Sequence, residues 1–247
     1  VLFSDIEGFT TISEKKEPEE LVSFLNDYLG AMTDIIFDHS GTVDKYIGDA
    51  IMAFWGAPIE QDNHAELACR STLKMMKKVE ELAPQDTNIN SRFGIATGNM
   101  IVGNIGSYNR FNYTVLGDTV NLSARLEAAN KQFGSSTMIA EQTYEDVKDN
   151  FYCRQLDLLV VKGKTKPVRV YELMAEKSYS DAEQTEEIIS IYQKGLDHYL
   201  NKKWDRAIDQ FKKVLSLKPK DGPSQTYIER CQEFKEEPPP KDWDGVF

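Results

Sequence analysis

The stretch Thr42-Val43-Asp44-Lys45-Tyr46-Ile47-Gly48-Asp49-Ala50-Ile51-Met52-Ala53-Phe54-Trp55 decides the fold. It holds two short runs of β-forming residues, Thr42–Ile47 and 50–55, and Gly48-Asp49 between them is a two-residue hairpin signal. On its N-terminal side, Ser40-Gly41 closes a helix opened by Pro18. The apolar positions Leu21, Leu25, Tyr28, Leu29, Met32, Ile35 and Ile36 of that helix recur at intervals that line one helical face. Before it, residues 1–6 read as a strand and Gly8-Phe9-Thr10 as a turn. On the C-terminal side, a second helix over 62–83 is closed by Pro84 and followed by a strand over 91–97. A hairpin flanked on each side by a helix and then a strand is an α+β arrangement of the ferredoxin-like βαββαβ type.

Beyond this unit, a glycine-rich stretch (Gly98, Gly103, Gly106) leads to a strand over 111–115. Asp118 is placed to cap a helix with the stripe Leu122, Leu126, Ala129 and Phe133. Strand-like segments near 136–140, 152–161 and 167–174 complete a domain over 1–175. Residues 176–187 are polar and read as a linker or the entry to a helix. Over 188–235, Tyr192, Gly195, Leu196, Tyr199, Trp204, Ala207, Phe211 and Pro219 fall at tetratricopeptide-like spacing, with a turn at Asn201-Lys202-Lys203 and a further helix over 224–235. Residues 236–247 contain Pro238-Pro239-Pro240 and read as an extended tail. One repeat cannot bury its own apolar face, so it has to lean on the further helix, the large domain or another chain.

The 247 residues carry 40 acidic against 29 basic side chains, a formal net charge of −11, which argues against general nucleic-acid binding. An apolar share of 40% is ordinary for a globular protein, and no run approaches the ~18 apolar residues of a membrane span. The opening residues carry no signal-peptide pattern. The chain opens in mid-strand, so it reads as the cytoplasmic part of a longer protein whose upstream sequence has room for a membrane anchor. Cys69, Cys153 and Cys231 are widely spaced and expected to be free thiols, and His39, His64 and His198 are scattered too. Any metal must therefore be a hard cation on carboxylates.

Asp5 sits where the first strand meets a glycine turn, and Asp49 sits in the hairpin turn. Adjacent strands can bring two such carboxylates to one sheet edge, the arrangement hard divalent cations require. The turn Ile6-Glu7-Gly8-Phe9-Thr10 can aim backbone amides at phosphate oxygens. Together these are the parts of a two-metal phosphoryl or nucleotidyl transfer site.

At this point Phe3-Ser4-Asp5-Ile6-Glu7-Gly8-Phe9-Thr10, Lys45-Tyr46-Ile47-Gly48-Asp49 and Tyr113-Thr114-Val115-Leu116-Gly117-Asp118-Thr119-Val120-Asn121-Leu122-Ser123-Ala124-Arg125 resemble the signature blocks of class III nucleotide cyclase catalytic domains. The resemblance spans about residues 1–175. It implies a head-to-tail homodimer with active sites at the subunit interface, producing a cyclic nucleotide and pyrophosphate from a nucleoside triphosphate. It makes Asp5, Asp49 and Ile6 ligands of two Mg²⁺ or Mn²⁺ ions, and places Ile6, Gly8, Phe9 and Thr10 against the substrate. Asn121 and Arg125 would reach in from the opposite subunit, one to orient the ribose and the other to stabilise the transferring phosphate. Lys162, or else Lys164, in the cationic turn Val161-Lys162-Gly163-Lys164-Thr165-Lys166-Pro167 resembles the lysine that contacts the triphosphate. Lys45 with Thr114 resembles the Thr/Ser subclass that uses ATP, which implies an adenylate cyclase in intracellular signal transduction. The alternatives are a guanylate or dual-specificity cyclase, and a nucleotide-binding regulatory module that docks partners through the helical segment.

Overall fold

The computed structural model describes residues 1–82, 89–159, 168–178, 182–240, 243 and 245. The chain opens with β1 (Leu2–Ile6), α1 (Phe9–Ser13) and α2 (Pro18–Asp38), followed by the hairpin β2 (Thr42–Ile47) and β3 (Ala50–Phe54), then α3 (His64–Leu82) and β4 (Ser91–Ile95). These strands lie side by side in the order β2-β3-β1-β4, each antiparallel to its neighbour, as a βαββαβ unit requires. The hairpin closes with Ile47 opposite Ala50 across Gly48-Asp49. The turn expected at Gly8-Phe9-Thr10 is tighter than a plain turn, because Phe9 and Thr10 already belong to the five-residue helix α1.

The chain continues through β5 (Ile101–Ser107), β6 (Arg110–Leu116), α4 (Asp118–Phe133), β7 (Thr137–Ala140), α5 (Glu141–Val147), β8 (Phe151–Leu159) and β9 (Val168–Glu176). β7, β9 and β8 extend the sheet beyond β4 to seven strands, while β5 and β6 form a separate two-stranded ribbon. The glycine-rich stretch is thus itself a strand. Gly103 and Gly106 interrupt its apolar pattern, and being largely exposed it never needed a clean one. Asp118 is the first residue of α4 rather than its cap, which falls at Gly117 and makes no side-chain hydrogen bond.

Two cores sandwich the sheet. On one face, Tyr28, Met32 and Ile36 of α2 and Cys69 and Met75 of α3 bury Leu2, Ile6, Ile51 and Phe93. On the other, Leu126 and Phe133 of α4 cover Phe54, Met138 and Leu156. α4 lies hard against β4 because residue 94 has no side chain: a Cβ on Gly94 would come within 2.2 Å of the Ser123 carbonyl oxygen and 2.3 Å of the Glu127 nitrogen. Ser123 Oγ donates to the Gly94 carbonyl at 2.8 Å, which fixes the helix along the strand.

Three helices follow: α6 (Ala182–Leu200), α7 (Trp204–Leu217) and α8 (Gly222–Glu236). α6 starts inside the span expected to be a linker or the entry to a helix. The expected signature positions Tyr192, Gly195, Leu196, Tyr199, Ala207 and Phe211 are buried, and their core is continuous with that under α4. Charge as well as grease joins the two parts. Arg154 on β8, 1% exposed, donates from Nε to Glu172 at 2.6 Å and from both terminal nitrogens to Asp221 at 2.9 and 2.6 Å. Arg230 of α8 donates to Asp157 at 2.7 Å. Beyond α8, Trp243 folds back onto Tyr199, Trp204 and Phe234. Among the described residues no helix is long and apolar enough to cross a membrane. All three cysteines are free.

Candidate active site

The β1–β3 register, with Ser4 opposite Ile51, carries Asp5 to the level of the hairpin turn. There the Ile6 amide donates to Asp49 Oδ2 at 3.1 Å, and Asp5 and Asp49 meet at one sheet edge. Burial, and next the Asp5 carboxylate beside it, push the Asp49 carboxyl up to about 6. Gly8, in the left-handed region at φ 68°, turns the chain immediately after β1, so the amides of Phe9 and Thr10 open α1 beside this pair.

Two further residues, not anticipated from the sequence, complete the cluster. Arg92 lies directly opposite Asp5 across β1–β4, with Nη2 at 3.1 Å from Asp5 Oδ2. Its Nε is 3.2 Å from Oε1 of Glu127 on α4. Burial, then the Asp5 charge, push the Glu127 carboxyl up to about 7, against the pull of Arg92. The visible signal was an arginine in the short apolar strand Ser91-Arg92-Phe93-Gly94-Ile95, but pairing it with Asp5 needs the register, which no local pattern states.

Asp5 and Glu127 share the Arg92 guanidinium, and Asp49 adds a third carboxylate beside Asp5, so three carboxylates gather near one cation. Among the described residues no three or more His, Cys, Asp or Glu side chains form a metal cage. Two carboxylates at one sheet edge, with the Asp5 side chain 31% exposed, are instead part of the donor set of Mg²⁺-type sites, which draw their remaining oxygens from backbone, substrate and water. The residues therefore fit the cations that the sequence implied.

A second cluster lies between β2 and β6. Lys45 Nζ is 3.3 Å from Thr114 Oγ1, so the expected pair is in contact. The Asp44 carboxylate sits beneath both: it accepts from the Thr114 hydroxyl at 2.5 Å and from the Val115 amide at 3.2 Å, and pairs with Lys45 at 2.9 Å.

Asn121 and Arg125 share one face of α4, four residues apart. Glu127 is two residues past Arg125, about 200° further round the helix. With Glu127 turned toward Arg92 and Asp5, Asn121 and Arg125 lie on a different face of α4 from Glu127. Lys162 and Lys164 lie outside the described residues. A cavity of about 390 Å³ lined by Phe54, Gly56, His64, Thr97 and Met100 lies at the other end of β3 and contains none of these groups.

Comparison with known proteins places this geometry. Residues 1–175 match the model of the adenylate and guanylate cyclase catalytic domain. The chain belongs to that family. Adenylate cyclase 1 of Rhizobium meliloti is 36% identical over 178 residues, 70% of this chain and 27% of that protein. The terminal-differentiation-specific adenylate cyclase of Dictyostelium discoideum is 33% identical over 237 residues, 94% of this chain and 11% of that protein, so that match runs on into the C-terminal helices. The crystal structure of the adenylyl cyclase CyaB from P. aeruginosa, 37% identical, superposes with a TM-score of 0.65 over 70% of this chain and 91% of that one. The chain thus spans only a minor part of the length of these two curated relatives.

Proposed function

We propose that this chain is the catalytic part of an adenylate cyclase of the Thr/Ser subclass, converting ATP to 3′,5′-cyclic AMP and pyrophosphate in intracellular signalling. The meeting of Asp5 and Asp49 at one sheet edge, beside the amides that open α1, carries the proposal. The names of the Rhizobium and Dictyostelium relatives, and the Lys45–Thr114 contact, support ATP as the substrate. Asp5, Asp49 and the Ile6 carbonyl would hold two Mg²⁺ or Mn²⁺ ions, which would supply Lewis acidity for the ribose 3′-hydroxyl and charge neutralisation for the triphosphate.

The chain's own groups do the rest. The amides of Gly8, Phe9 and Thr10 cradle phosphate oxygens, and Lys162 adds a cation at the triphosphate. Lys45 donates to adenine N1 while Thr114 accepts from the 6-amino group. Asn121 orients the ribose from the opposite subunit of a head-to-tail homodimer. Arg125, beside it, donates to the α-phosphate as charge builds in the transition state, a contribution of roughly 10²–10³ in rate. The helices α6 and α7 form a tetratricopeptide-like pair that supports the dimer or receives a protein partner.

Chromatography of products from ATP and from GTP, with Mg²⁺, with Mn²⁺ and with chelator, tests the proposal. Cyclic AMP is expected with either metal and none with chelator. Metal-dependent ATP binding without product overturns the enzyme assignment, and comparable turnover of GTP overturns the adenylate assignment.

A further inference from the structure

The β2–β3 ladder slips by one residue: Val43 pairs with Ala53 and Lys45 with Met52, so Asp44 is the extra residue of a β-bulge. On a regular strand Asp44 and Lys45 would point to opposite faces. Here the bulge lets both reach Thr114 on β6. The Asp44 side chain is 0% exposed, so it is no surface charge and its contacts are its whole environment.

Those contacts determine where protons lie. Asp44 Oδ1 faces the Lys45 ammonium at 2.9 Å, and Oδ2 faces the Val115 amide at 3.2 Å. Both neighbours are donors, so the carboxylate has only lone pairs to offer. The Thr114 hydroxyl, 2.5 Å from Oδ2, must therefore spend its single proton on Asp44. A free threonine hydroxyl rotates to suit donor or acceptor alike. This one cannot.

We infer that Asp44 is the positioning residue for base selectivity: by taking the Thr114 proton it leaves Thr114 Oγ1 as an acceptor, which suits the 6-amino group of adenine and repels the 6-oxo group of guanine. The inference rests on the assignment of Lys45 and Thr114 as the base-contacting pair. Lys45, with a side chain 38% exposed, donates to Thr114 Oγ1 at 3.3 Å and faces Asp44 Oδ1 at 2.9 Å; one lone pair on Thr114 and one N–H on Lys45 then remain as the complementary acceptor and donor for a purine edge. A site whose polar atoms are held in one sense rejects the wrong partner because its own groups would be left unpaired.

The test is the ratio of ATP to GTP turnover with both nucleotides competing in one tube, in wild type, Asp44→Asn, Thr114→Val and the double variant. Asparagine is isosteric; Lys45 holds its amide oxygen at the Oδ1 position, so its NH2 takes the Oδ2 position, donates to Thr114 and frees the hydroxyl to turn outward, at the cost of the acceptor for Val115 N–H. Asp44→Asn is expected to lower the ATP:GTP ratio about tenfold, the order of one hydrogen bond. Thr114→Val should also lower it, and adding Asp44→Asn to Thr114→Val should change it no further. Because both substrates meet the same enzyme, partial misfolding of a variant cancels from the ratio. A second measurement needs no variant: wild type should turn over purine riboside triphosphate, which lacks the 6-amino group, about tenfold less efficiently than ATP.

An Asp44→Asn ratio equal to a wild-type ratio that favours ATP overturns the role of Asp44 and leaves the base pair standing. A further drop in the double variant overturns action through Thr114. Equal use of ATP and purine riboside triphosphate overturns Thr114 as acceptor, and no wild-type preference for ATP overturns the base assignment itself.

Discussion

Asp49 keeps its proton to about pH 6, whereas in the unfolded chain it would lose it near 3.8. Between those values the unfolded state carries the charge and the folded state does not, so rising pH favours unfolding through this group. Glu127, pushed up to about 7, extends the window upward. In chelator, the melting temperature of wild type relative to Asp49→Asn should therefore fall as pH rises from about 4 to 6 and then level off. A relative rise over that window would contradict the burial of this carboxyl. The same proton competes with cations: Mn²⁺ affinity, followed by titration calorimetry, should weaken roughly tenfold per pH unit below about 6. In the sequence Asp5 and Asp49 were legible as a pair of turn carboxylates, and Lys45 and Thr114 were legible only through the resemblance to a known family. Arg92, Glu127 and Asp44 were not. They matter only through partners 87, 35 and 70 positions away in sequence or through a bulge, and strand register and bulges are properties of pairing rather than of any one segment.

Two contacts between elements hold the site-bearing helix α4 and the C-terminal helices in place. Gly94→Ala would drive a methyl into the backbone of α4 at Ser123 and Glu127, neither of which can yield without moving the helix. The expected cost is about 1–3 kcal/mol of stability, and cyclase activity should fall more steeply, since α4 also carries Asn121 and Arg125. Activity at wild-type level would show that the position of α4 does not matter to catalysis. Arg154→Ala would leave Glu172 buried without its cation and Asp221 with only the half-exposed Lys218, 3.5 Å away, costing about 3–5 kcal/mol. Hydrogen exchange should then rise first in α8, where Asp221 is the N-cap and accepts from the Ser224 amide. The sequence announced α6 and α7 through their aromatic spacing, yet it gave no sign that Arg154, in an apolar strand far upstream, is the socket for their neighbour. A buried arginine looks like any other until its partners are known.

At the scale of the whole molecule, a net charge of −11 would admit the proposed polyanionic substrate only where cations are locally concentrated. α4 turns Glu127 toward its own Asp5 and carries Asn121 and Arg125 on a different face. The ribbon that precedes α4 exposes Ile101, Phe111 and a wholly exposed Tyr108, an apolar patch of the kind that marks an interface. If a second copy docks there, each site draws Asp5 and Asp49 from one chain and Arg125 from the other. Asp5→Ala and Arg125→Ala should then each be nearly inactive alone. An equal mixture forms half its dimers as heterodimers, and each heterodimer pairs one wholly wild-type site with one doubly defective site. Activity should therefore return to about a quarter of wild type, as the symmetry of such a dimer dictates. Phe111→Asp in both chains should abolish the rescue and shift sedimentation toward monomer. Sites contained within single chains predict no recovery at any mixing ratio, because every chain in the mixture would still lack one of its own essential groups.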